Sequence, residues 1–505
     1  MATSFPFLRT PAASAALALA AAAAAAQTAT LPPVSVTGRG DPQVGIAGWG
    51  DVPLSRAPFS ASVVTTEQMR DRGVQRLSDL VRLDPGVSDD YNAEGYWDSL
   101  TVRGYEIENH TNHYRDGLPI NAETRIPLDN KERVEVLKGT SGLQAGVSAP
   151  GGLVNFIVKR PTEQPLREAR LAWQQSGSVL AAVDLSQRFG QDRVFGLRLN
   201  AATERLAPRV RDADGHRTLF ALAGDWRVAP DTLLEAEVET SHRSQPSVPG
   251  FSLLGNAVPD PRTIDPRISL NNQPWSLPVV FDGHAASLRF SQRLSEQWRW
   301  TAHVATQQLR SDDRVAFPFG CSAEGNFDRF CSDGTYDLYD FRSDDEHRRT
   351  DALELALHGR FETGAVAHSA SAGVLRSRFT ARFQGQAFNL VGIGNIQGTL
   401  VTPPDPTLGP GNADRDEDST ELFARDAARL GDVATAWFGV RHSRLKRGAG
   451  DTRYAQSFTV PFAALSRDVG EGQVIYASWG QGVETAVTPG LPAYGTQAGQ
   501  PLPAL

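Results

Sequence analysis

The residues best suited to chemistry lie in the segment 108–114, which reads Glu-Asn-His-Thr-Asn-His-Tyr. Imidazole and carboxylate groups are common ligands of transition metals, so His110, His113 and Glu108 are candidate metal ligands. The same composition is also typical of a solvated loop, and this alternative is favoured. We therefore predict no metal site, and regard His110, His113 and the adjacent Tyr114 as candidates for contact with a ligand.

A second group of candidates is aromatic and consists of Tyr91, Tyr96 and Trp97. Aromatic side chains with a polar group are suited to bind a flat ligand. They can equally pack one part of a protein against another, and both interpretations stay open.

The start of the chain indicates export. Arg9 precedes an Ala-rich apolar segment, 12–26, which Gln27 follows. This pattern predicts a secretory signal peptide over residues 1–26, with a low-complexity helix as the alternative. Beyond it the sequence has no apolar stretch of about 18 residues, the length that a transmembrane helix needs.

Export also bears on the two cysteines, Cys321 and Cys331. An even number at close spacing in an exported chain favours one local disulfide. Their spacing is not that of a zinc hook and no histidine lies between them, which argues against a metal site.

Composition and motifs exclude several classes of function. The formal net charge is -8 over 505 residues, which argues against a nucleic-acid partner. The sequence contains no Gly-x-Ser-x-Gly, no His-Glu-x-x-His and no P-loop. An enzyme is therefore not predicted.

The elements that position these candidates begin with a compact α+β unit, residues 57–161. Its last part, 132–161, contains two short apolar runs, 134–137 and 153–158, on either side of a glycine-rich segment. Such runs predict a pair of buried strands. Asp116 and Gly117 predict a hairpin, and Thr66 is the expected N-cap of a helix over 67–72.

The pattern changes near residue 168 to long strands in which apolar and polar residues alternate. In 179–189, for example, Val183 and Leu185 share one face while Asp184, Ser186 and Arg188 share the other. Such strands, longer than those of most soluble sandwiches and charged on one face, predict a transmembrane barrel with a polar lumen. Short turns alternate with longer loops, as a barrel requires. The long loops are expected at 206–216, 246–281, 311–344, 385–415 and 445–453.

Several of these segments resemble motifs of the TonB-dependent outer-membrane ferric-siderophore receptors. In the plug domain of that family the similar segments are 56–60 through 84–87, 102–105, 115–119 and 132–161, and in its barrel they are 421–423 and 439–441. Within 132–161 two departures occur, at Thr140 and at 144–146. Near the N-terminus, the segment that matches the family's TonB box is Pro33, Val34, Ser35, Val36 and Thr37.

The resemblance implies a membrane β-barrel of antiparallel strands, twenty-two in the family and about thirteen encoded here, with an N-terminal α+β plug domain inside the lumen. The expected domains are a signal peptide (1–26), a TonB box and flexible tether (27–56), a plug (57–161) and a partial barrel (162–505). The plug residues with an expected structural role are Arg103, Gly104, Asp116, Gly117, Arg133, Gly139, Gly151, Gly152 and Asn155. Arg103 and Arg133 are expected to pair with carboxylates between plug and barrel.

The function implied is import of a ferric siderophore to the periplasm with energy transduced by TonB and its inner-membrane complex. Iron would be carried as the chelate, with no permanently bound cofactor, and outer-membrane lipid would surround the barrel. The alternatives are a transporter for another metal chelate or small nutrient, and a truncated, non-functional fragment. An outer-membrane enzyme and a signal-transducing receptor are disfavoured.

The fragment alternative rests on the end of the sequence. The chain stops at Leu505 without the aromatic-ended closing strand of the family. We therefore expect that the isolated chain does not insert as a closed barrel, because an unpaired strand edge in lipid costs several kcal/mol per group.

Overall fold

A computed structural model of the chain describes residues 44–49, 52–90, 94–139, 141–450, 452–470 and 472–484. The expected signal peptide, the expected TonB box (33–37) and Tyr91 lie outside the described residues. None of the described helices is both long enough and apolar enough to cross a membrane.

The first unit, which we call the plug, contains two small sheets and short helices. Its strands are β1 (Ser60–Thr65), β2 (Val87–Asp89), β3 (Leu100–Val102), β4 (Tyr105–Glu106), β5 (His113–Arg115), β6 (Leu118–Pro119), β7 (Lys131–Lys138) and β8 (Gly152–Val158). Its α-helices are α1 (Thr66–Asp71) and α2 (Gly142–Ala145), and its 3-10 helices are Gly45–Ala47, Leu54–Arg56 and Leu77–Arg82.

The larger plug sheet confirms the two buried strands expected within 132–161. Its order is β1-β7-β8-β5-β6, and β7 pairs antiparallel with β8. The hairpin at Asp116 and Gly117 is also confirmed, since both residues have positive φ and join β5 to β6. Val134, Val154 and Phe156 have no exposed surface and form the centre of the plug core.

The helix expected over 67–72 begins slightly earlier than predicted. Its N-cap is Thr65 rather than Thr66, because the Thr65 side chain accepts a hydrogen bond from the Gln68 amide while the Gln68 side chain accepts one from the Thr65 amide. This reciprocal arrangement is a capping box, which satisfies two backbone donors at once. Thr66 instead donates its hydroxyl to the Lys131 carbonyl, 2.6 Å away.

The second unit is one 14-stranded antiparallel sheet, which we call the wall. Its strands are β9 (Leu166–Trp173), β10 (Val179–Phe189), β11 (Phe195–Leu206), β12 (Gly215–Ala229), β13 (Thr232–Gln245), β14 (Leu277–Arg293), β15 (Trp298–Pro318), β16 (Thr335–Thr363), β17 (Val366–Arg382), β18 (Gln386–Asn395), β19 (Arg415–Leu430), β20 (Ala434–Ala449), β21 (Thr452–Gly470) and β22 (Gln473–Gly480). Each strand pairs with its neighbour in sequence, except that β19 pairs with β17 and β18 pairs with β16. Thirteen strands thus lie on one continuous path, and β18 branches from it.

Four of the expected loops are shorter than predicted because strands continue into them. In the loop expected at 445–453, β20 reaches Ala449 and β21 begins at Thr452, and these two residues pair with each other. β15 reaches Pro318 and β16 begins at Thr335, so the loop expected at 311–344 spans only 319–334. β14 begins at Leu277, and 385–415 contains β18. The physical reason is that these strands extend past the alternating segments and pair with each other in the absence of a clear apolar face.

The wall has the inverse polarity of a water-soluble sheet. On β10, Asp184, Ser186 and Arg188 are buried, whereas Val183 and Leu185 are exposed. Exposed large apolar side chains recur on the same outer face of β11 to β22. A polar inner face and an apolar outer face are the arrangement of a transmembrane barrel.

The long loops carry a small core of their own. Leu270, Phe330, Tyr336 and Leu338 are buried together at the long-loop end of the wall. Within the same region Cys321 and Cys331 form a disulfide, with their Cα atoms 5.1 Å apart.

Candidate functional site

The segment that carries the candidate histidines is held in place by Asn112, which lies between them. Asn112 is buried, accepts a hydrogen bond from the Ala149 amide at 3.1 Å and donates to the carbonyls of Ala149 and Gly152. The loop that contains His110 is therefore fixed to the start of β8. The sequence pattern drew attention to the two histidines and not to this amide.

The two histidines face different surroundings. His113 is buried, its Nδ1 lies 3.3 Å from the Glu108 carbonyl, and burial lowers its pKa to about 4. His110 is partly exposed and lies between Glu108 at 3.4 Å and Arg447 of the wall at 3.2 Å. Among the described residues the only cluster with ligand geometry for a metal is Cys321, Glu324 and Cys331, where the disulfide removes both thiolates.

Tyr96 and Trp97 lie at the seam between plug and wall. Their rings are 4.0 Å apart, and both contact Phe281 of β14 at about 6 Å between ring centroids. The Arg348 guanidinium lies over the Trp97 ring at 5.8 Å, as in a cation–π contact. Of the two interpretations of these aromatics, the geometry favours packing of plug against wall. Tyr114 is likewise buried, in a cluster with Leu153.

One group of buried ion pairs between plug and wall surrounds Glu239 on the inner face of β13. Arg115 of the plug lies 2.8 Å from Glu237 and 2.9 Å from Glu239. Lys131, which has no exposed side-chain surface, lies 2.8 Å from Glu239, and the Asn130 amide donates to the same carboxylate at 2.6 Å. A buried carboxylate surrounded by donors in this way is stable only while all of them are present.

A second group of pairs joins the end of the plug to β10, β11 and β12. Asp184 accepts from Lys159 at 2.9 Å and from Arg198 through two bonds of 2.8 Å. Arg217 reaches back to Asp129 of the plug at 2.6 Å. Because the Arg198 pair is bidentate, it fixes direction as well as distance.

The ion pairs expected between plug and wall are thus present but use other residues. Arg133 pairs within the plug, with Glu135 at 2.8 Å. Arg103 is exposed, has φ of 55° and forms no ion pair with any described residue. Arg133 therefore pairs with a carboxylate as expected, but within the plug rather than across to the wall, and no partner of Arg103 is seen among the described residues. The signal that could have identified the true partners was the acidic inner face of β13, with Glu235, Glu237 and Glu239 at alternate positions.

The glycines and polar residues assigned a structural role lie at close contacts inside the plug. A Cβ at Gly152, where φ is 140°, would lie 1.9 Å from the Leu137 carbonyl oxygen. At Gly151 it would lie 2.9 Å from the Tyr105 carbonyl, and the Gly139 amide donates to the Gly151 carbonyl at 2.8 Å. These positions bring backbones together and leave no room for a side chain.

The remaining plug residues lie in or next to two hairpin turns, one between β3 and β4 and one between β5 and β6. Gly104, with φ of 83°, follows Arg103 in the turn between β3 and β4. Asp116 accepts from the Val158 amide at 3.1 Å and from Arg160 at 2.6 Å. Asn155 accepts from the Gly117 amide at 3.1 Å, so the hairpin is tied to β8 on both sides.

A cavity of about 510 Å³ lies between plug and wall at the long-loop end. Its lining is rich in arginine and includes Arg76, Arg125, Arg170, Arg217 and Arg243. The carboxylate closest to Arg243 is Glu94, at 3.7 Å, and Glu94 also serves Arg76 at 3.5 Å. Arg125 is paired with Asp98 at 2.7 Å, and Arg217 is paired with Asp129 and Glu204 at 2.6 Å, whereas Arg243 has only the longer contact with Glu94. The cavity is therefore suited to an anionic ligand at Arg243.

Residues 53–153, which make up most of the plug, match the family described as TonB-dependent receptor plug domain. The chain is homologous to the TonB-dependent siderophore receptors. Its wall and plug have the fold of these barrel receptors.

Among curated relatives, the ferrichrome outer membrane transporter/phage receptor of Escherichia coli is 25% identical over 345 residues, which are 64% of this chain and 45% of the relative. The metal-pseudopaline receptor CntO of Pseudomonas aeruginosa is 27% identical over 340 residues, 64% of this chain and 44% of the relative. The chain thus spans less than half the length of these two relatives.

Among solved structures, the ferric preacinetobactin receptor BauA of Acinetobacter baumannii has a TM-score of 0.77 at 20% identity, covering 90% of this chain and 68% of that one. The ferric-catecholate import receptor Fiu of Escherichia coli has a TM-score of 0.75 at 17% identity, covering 89% of this chain and 68% of that one. These similarities show the fold.

Proposed function

We propose that the chain belongs to an outer-membrane receptor that binds a ferric siderophore and imports it to the periplasm with energy transduced by TonB. The observation that carries this proposal is the plug seated against the charged inner face of the wall, with Arg115 and Lys131 around Glu239. An import receptor needs a folded obstacle in its lumen that stays in place at rest and can still be displaced.

The ion pairs between plug and wall are consistent with this requirement. The pairs Arg115–Glu237, Lys159–Asp184 and Arg217–Asp129 are polar on both sides. When buried ionic groups separate in the presence of water, both partners can be rehydrated, whereas a large apolar interface has no such compensation. A polar interface between plug and wall therefore allows the plug to move without exposing a hydrophobic core.

The substrate we propose is a ferric chelate with anionic groups, taken up at the arginine-rich cavity that contains Arg243. The curated relatives include receptors named for ferrichrome, ferrioxamine and a catecholate siderophore. A second candidate is another metal chelate, because receptors named for metal-pseudopaline are 27% identical. In both cases the metal is cargo.

The proposed partner is TonB, which would add the segment 33–37 as a strand to its own sheet. The proposed location is the outer membrane, reached by means of the signal peptide over residues 1–26.

The test uses an iron-starved strain that lacks its own siderophore receptors and expresses the receptor to which the chain belongs. We expect uptake of at least one radiolabelled ferric siderophore, and loss of uptake with Val36→Pro, because proline removes a backbone donor that strand addition requires. Val36→Ala is the matched control, since it keeps that donor. The purified Val36→Pro protein should still bind the chelate.

Two results would count against the proposal. One is the absence of binding to every chelate in a panel of hydroxamates, catecholates and other metal chelates. The other is uptake that Val36→Pro leaves intact, which would remove the part assigned to TonB.

A further inference from the structure

Three side chains from three different strands form a chain of hydrogen bonds at the short-turn edge of the wall. The His368 Nδ1 atom on β17 lies 2.6 Å from the Asp426 carboxylate on β19. On the other side of the same ring, Nε2 lies within hydrogen-bond distance of the Thr363 hydroxyl, at the end of β16. We call Thr363, His368 and Asp426 the outer triad.

The combination of partners is particular to His368 within the part of the chain that the structure describes. His442 bonds the Thr459 hydroxyl at 2.8 Å but has no carboxylate partner there. His242 lies 2.7 Å from Asp282 but contacts no hydroxyl there. Of the described histidines, only His368 has a hydroxyl on one ring nitrogen and a carboxylate on the other.

The two contacts assign the proton of the His368 ring. An ionised carboxylate can only accept a hydrogen bond, so Nδ1 carries the ring proton and donates it to Asp426. Nε2 of the neutral ring is then an acceptor, and the Thr363 hydroxyl donates to it. A hydroxyl, an imidazole and a carboxylate bonded in this order are the nucleophile, general base and orienting group of acyl-transfer chemistry.

The imidazole is also fixed by stacking. The His368 ring lies parallel to the Phe361 ring, with centroids 4.8 Å apart and planes at 11°. Phe361 stacks in turn on Trp298 of β15, at 6.0 Å and 9°. A ring stacked on one face and bonded through both nitrogens is held in one orientation, which lowers the entropic cost of proton transfer.

The outer triad faces away from the plug. Phe361 lies directly opposite His368 and is exposed, and Thr363 is two residues further along the same strand. Asp426 lies four residues from the exposed Leu430, so it shares the outer face of β19. The space beside the Thr363 hydroxyl is open, since Thr363 is exposed and a Cβ at the following residue, Gly364, would meet nothing within 4 Å.

The depth of the outer triad matches one boundary of a bilayer. Trp298 and Phe361 are exposed at the short-turn end of the apolar outer face, where barrels place a girdle of aromatic residues at the membrane–water interface. Short turns of an outer-membrane barrel lie on the periplasmic side. The acyl esters of phospholipids lie at this same interface, between the hydrocarbon layer and the headgroups.

From this geometry and depth we propose that the outer triad hydrolyses an acyl ester of a phospholipid in the periplasmic leaflet. Thr363 Oγ1 attacks the ester carbonyl carbon while His368 Nε2 takes the hydroxyl proton. The ester C–O bond breaks, and the lysophospholipid leaves as an alcohol with that proton. Water then attacks the acyl-threonine and gives a proton to His368, which returns it to Thr363 as the fatty acid leaves.

The three residues have different roles in these steps. Thr363 and His368 are catalytic, whereas Asp426 is a positioning residue that stays ionised and stabilises the imidazolium. The proposal rests on the proposed outer-membrane location and not on import.

The test uses the receptor to which the chain belongs, purified in a neutral detergent, with a phospholipid that carries a fluorogenic acyl ester. We expect release of the fatty acid, lowered on the order of 1,000-fold by Thr363→Ala and by His368→Asn. Thr363→Ser keeps the hydroxyl and should retain the rate within about threefold. Asp426→Asn should lower kcat on the order of 100-fold and leave KM unchanged, because it disturbs the tautomer and not the binding of lipid.

The matched control is His442→Asn. His442 also faces outward and bonds a threonine hydroxyl, but it lacks the carboxylate, so the rate should not change. Equal loss with this control would overturn the proposal. So would release that Thr363→Ala and His368→Asn leave intact, since the hydrolysis would then come from another group or a contaminant.

A covalent probe identifies the nucleophile directly. A lipid-like fluorophosphonate should form a bond between phosphorus and Thr363 Oγ1 with loss of fluoride, and mass spectrometry of the peptides locates it. His368→Asn should abolish this label, and labelling elsewhere would overturn the proposal. Hydrolysis of a short water-soluble ester without hydrolysis of the phospholipid would show that the lipid assignment is wrong.

Folding is controlled by the β-sheet circular dichroism of each variant. If the alanine and asparagine variants unfold, the label on the native receptor and the rate of Thr363→Ser decide the outcome. None of these measurements involves chelate binding or TonB, so failure here is distinguishable from failure of the proposed function.

Discussion

The inner and outer faces of β13 differ in which side chains are buried: charged side chains are buried on the inner face, and an apolar side chain is exposed on the outer face. Glu237 and Glu239 point inward, are almost completely buried, and are each bound by cations of the plug. Val238 lies between them, points outward and is half exposed. In a water-soluble protein we would expect the reverse. The contrast shows that side chains on the inner face of the wall are buried by the plug, whereas the outer face is suited to lipid.

The largest effect should come from breaking the inner face. Glu239→Leu leaves Arg115, Lys131 and the Asn130 amide without their shared acceptor, so we expect about 3–5 kcal/mol less stability for the docked plug. Limited proteolysis of the plug in a urea series measures this loss. Glu235→Gln is the control, because Glu235 is only loosely paired at 3.7 and 3.9 Å. Equal sensitivity of both variants would contradict the central place given to Glu239.

The next effect should come from the outer face of the same strand. Val238→Arg, made in the receptor to which the chain belongs, places a charge near the middle of the apolar band, and we expect a cost of about 2–4 kcal/mol for folding into lipid vesicles. Ser244→Arg, near the long-loop end of β13, should cost at most about 1 kcal/mol. If the two variants fold equally well, the outer face of β13 does not face lipid.

A smaller effect distinguishes the buried His113 from the partly exposed His110. Burial lowers the His113 pKa from 6.5 to about 4, so the unfolded chain binds a proton that the folded plug cannot accept. Stability is therefore lost as the pH falls from about 6.5 to about 4, by about 2 kcal/mol at pH 5. Urea unfolding at several pH values should show this slope, and His113→Gln should flatten it. His110→Gln should leave it in place.

The smallest effect should come from an exposed ion pair on the outer face. Arg349→Gln removes the partner of Asp351, with both side chains largely exposed, and we expect a change below about 1 kcal/mol. The urea midpoint measures it. A loss as large as that of Glu239→Leu would mean that the two faces do not differ as proposed.

Much of the fold could be predicted because its signals are local. The strand pair within 132–161, the hairpin at Asp116 and Gly117, and the alternation of β10 depend on neighbouring residues. The environment of Trp97 could not be predicted in the same way, because it depends on Phe281, which lies far away in sequence. The partner of Arg133 could not be predicted for a related reason, since its motif does not say whether the nearest carboxylate lies in the plug or in the wall.

The ends of β15 and β16 show a further limit of predicting strands from the side-chain pattern. Their long-loop ends carry Asp312, Asp313, Asp344 and Asp345 near a register shift and a positive φ. Alternation is lost there although pairing continues as far as Pro318 and Leu338. Hydrogen bonding between backbones does not need an apolar face, so a pattern of side chains could not predict it.

Glu135 connects the first described residues of the chain to the middle of the larger plug sheet. Its buried carboxylate accepts from the amides of Gly45 and Ile46 at 3.1 Å and from Asn155 of β8 at 2.9 Å. Tension applied along the chain before Gly45 would thus be delivered to the middle of the sheet, across β7 and β8, and not only to edge strand β1. Trp49, edge-on to Trp437 of the wall at 5.2 Å, would share that load. The first described residues therefore contact both the plug and the wall.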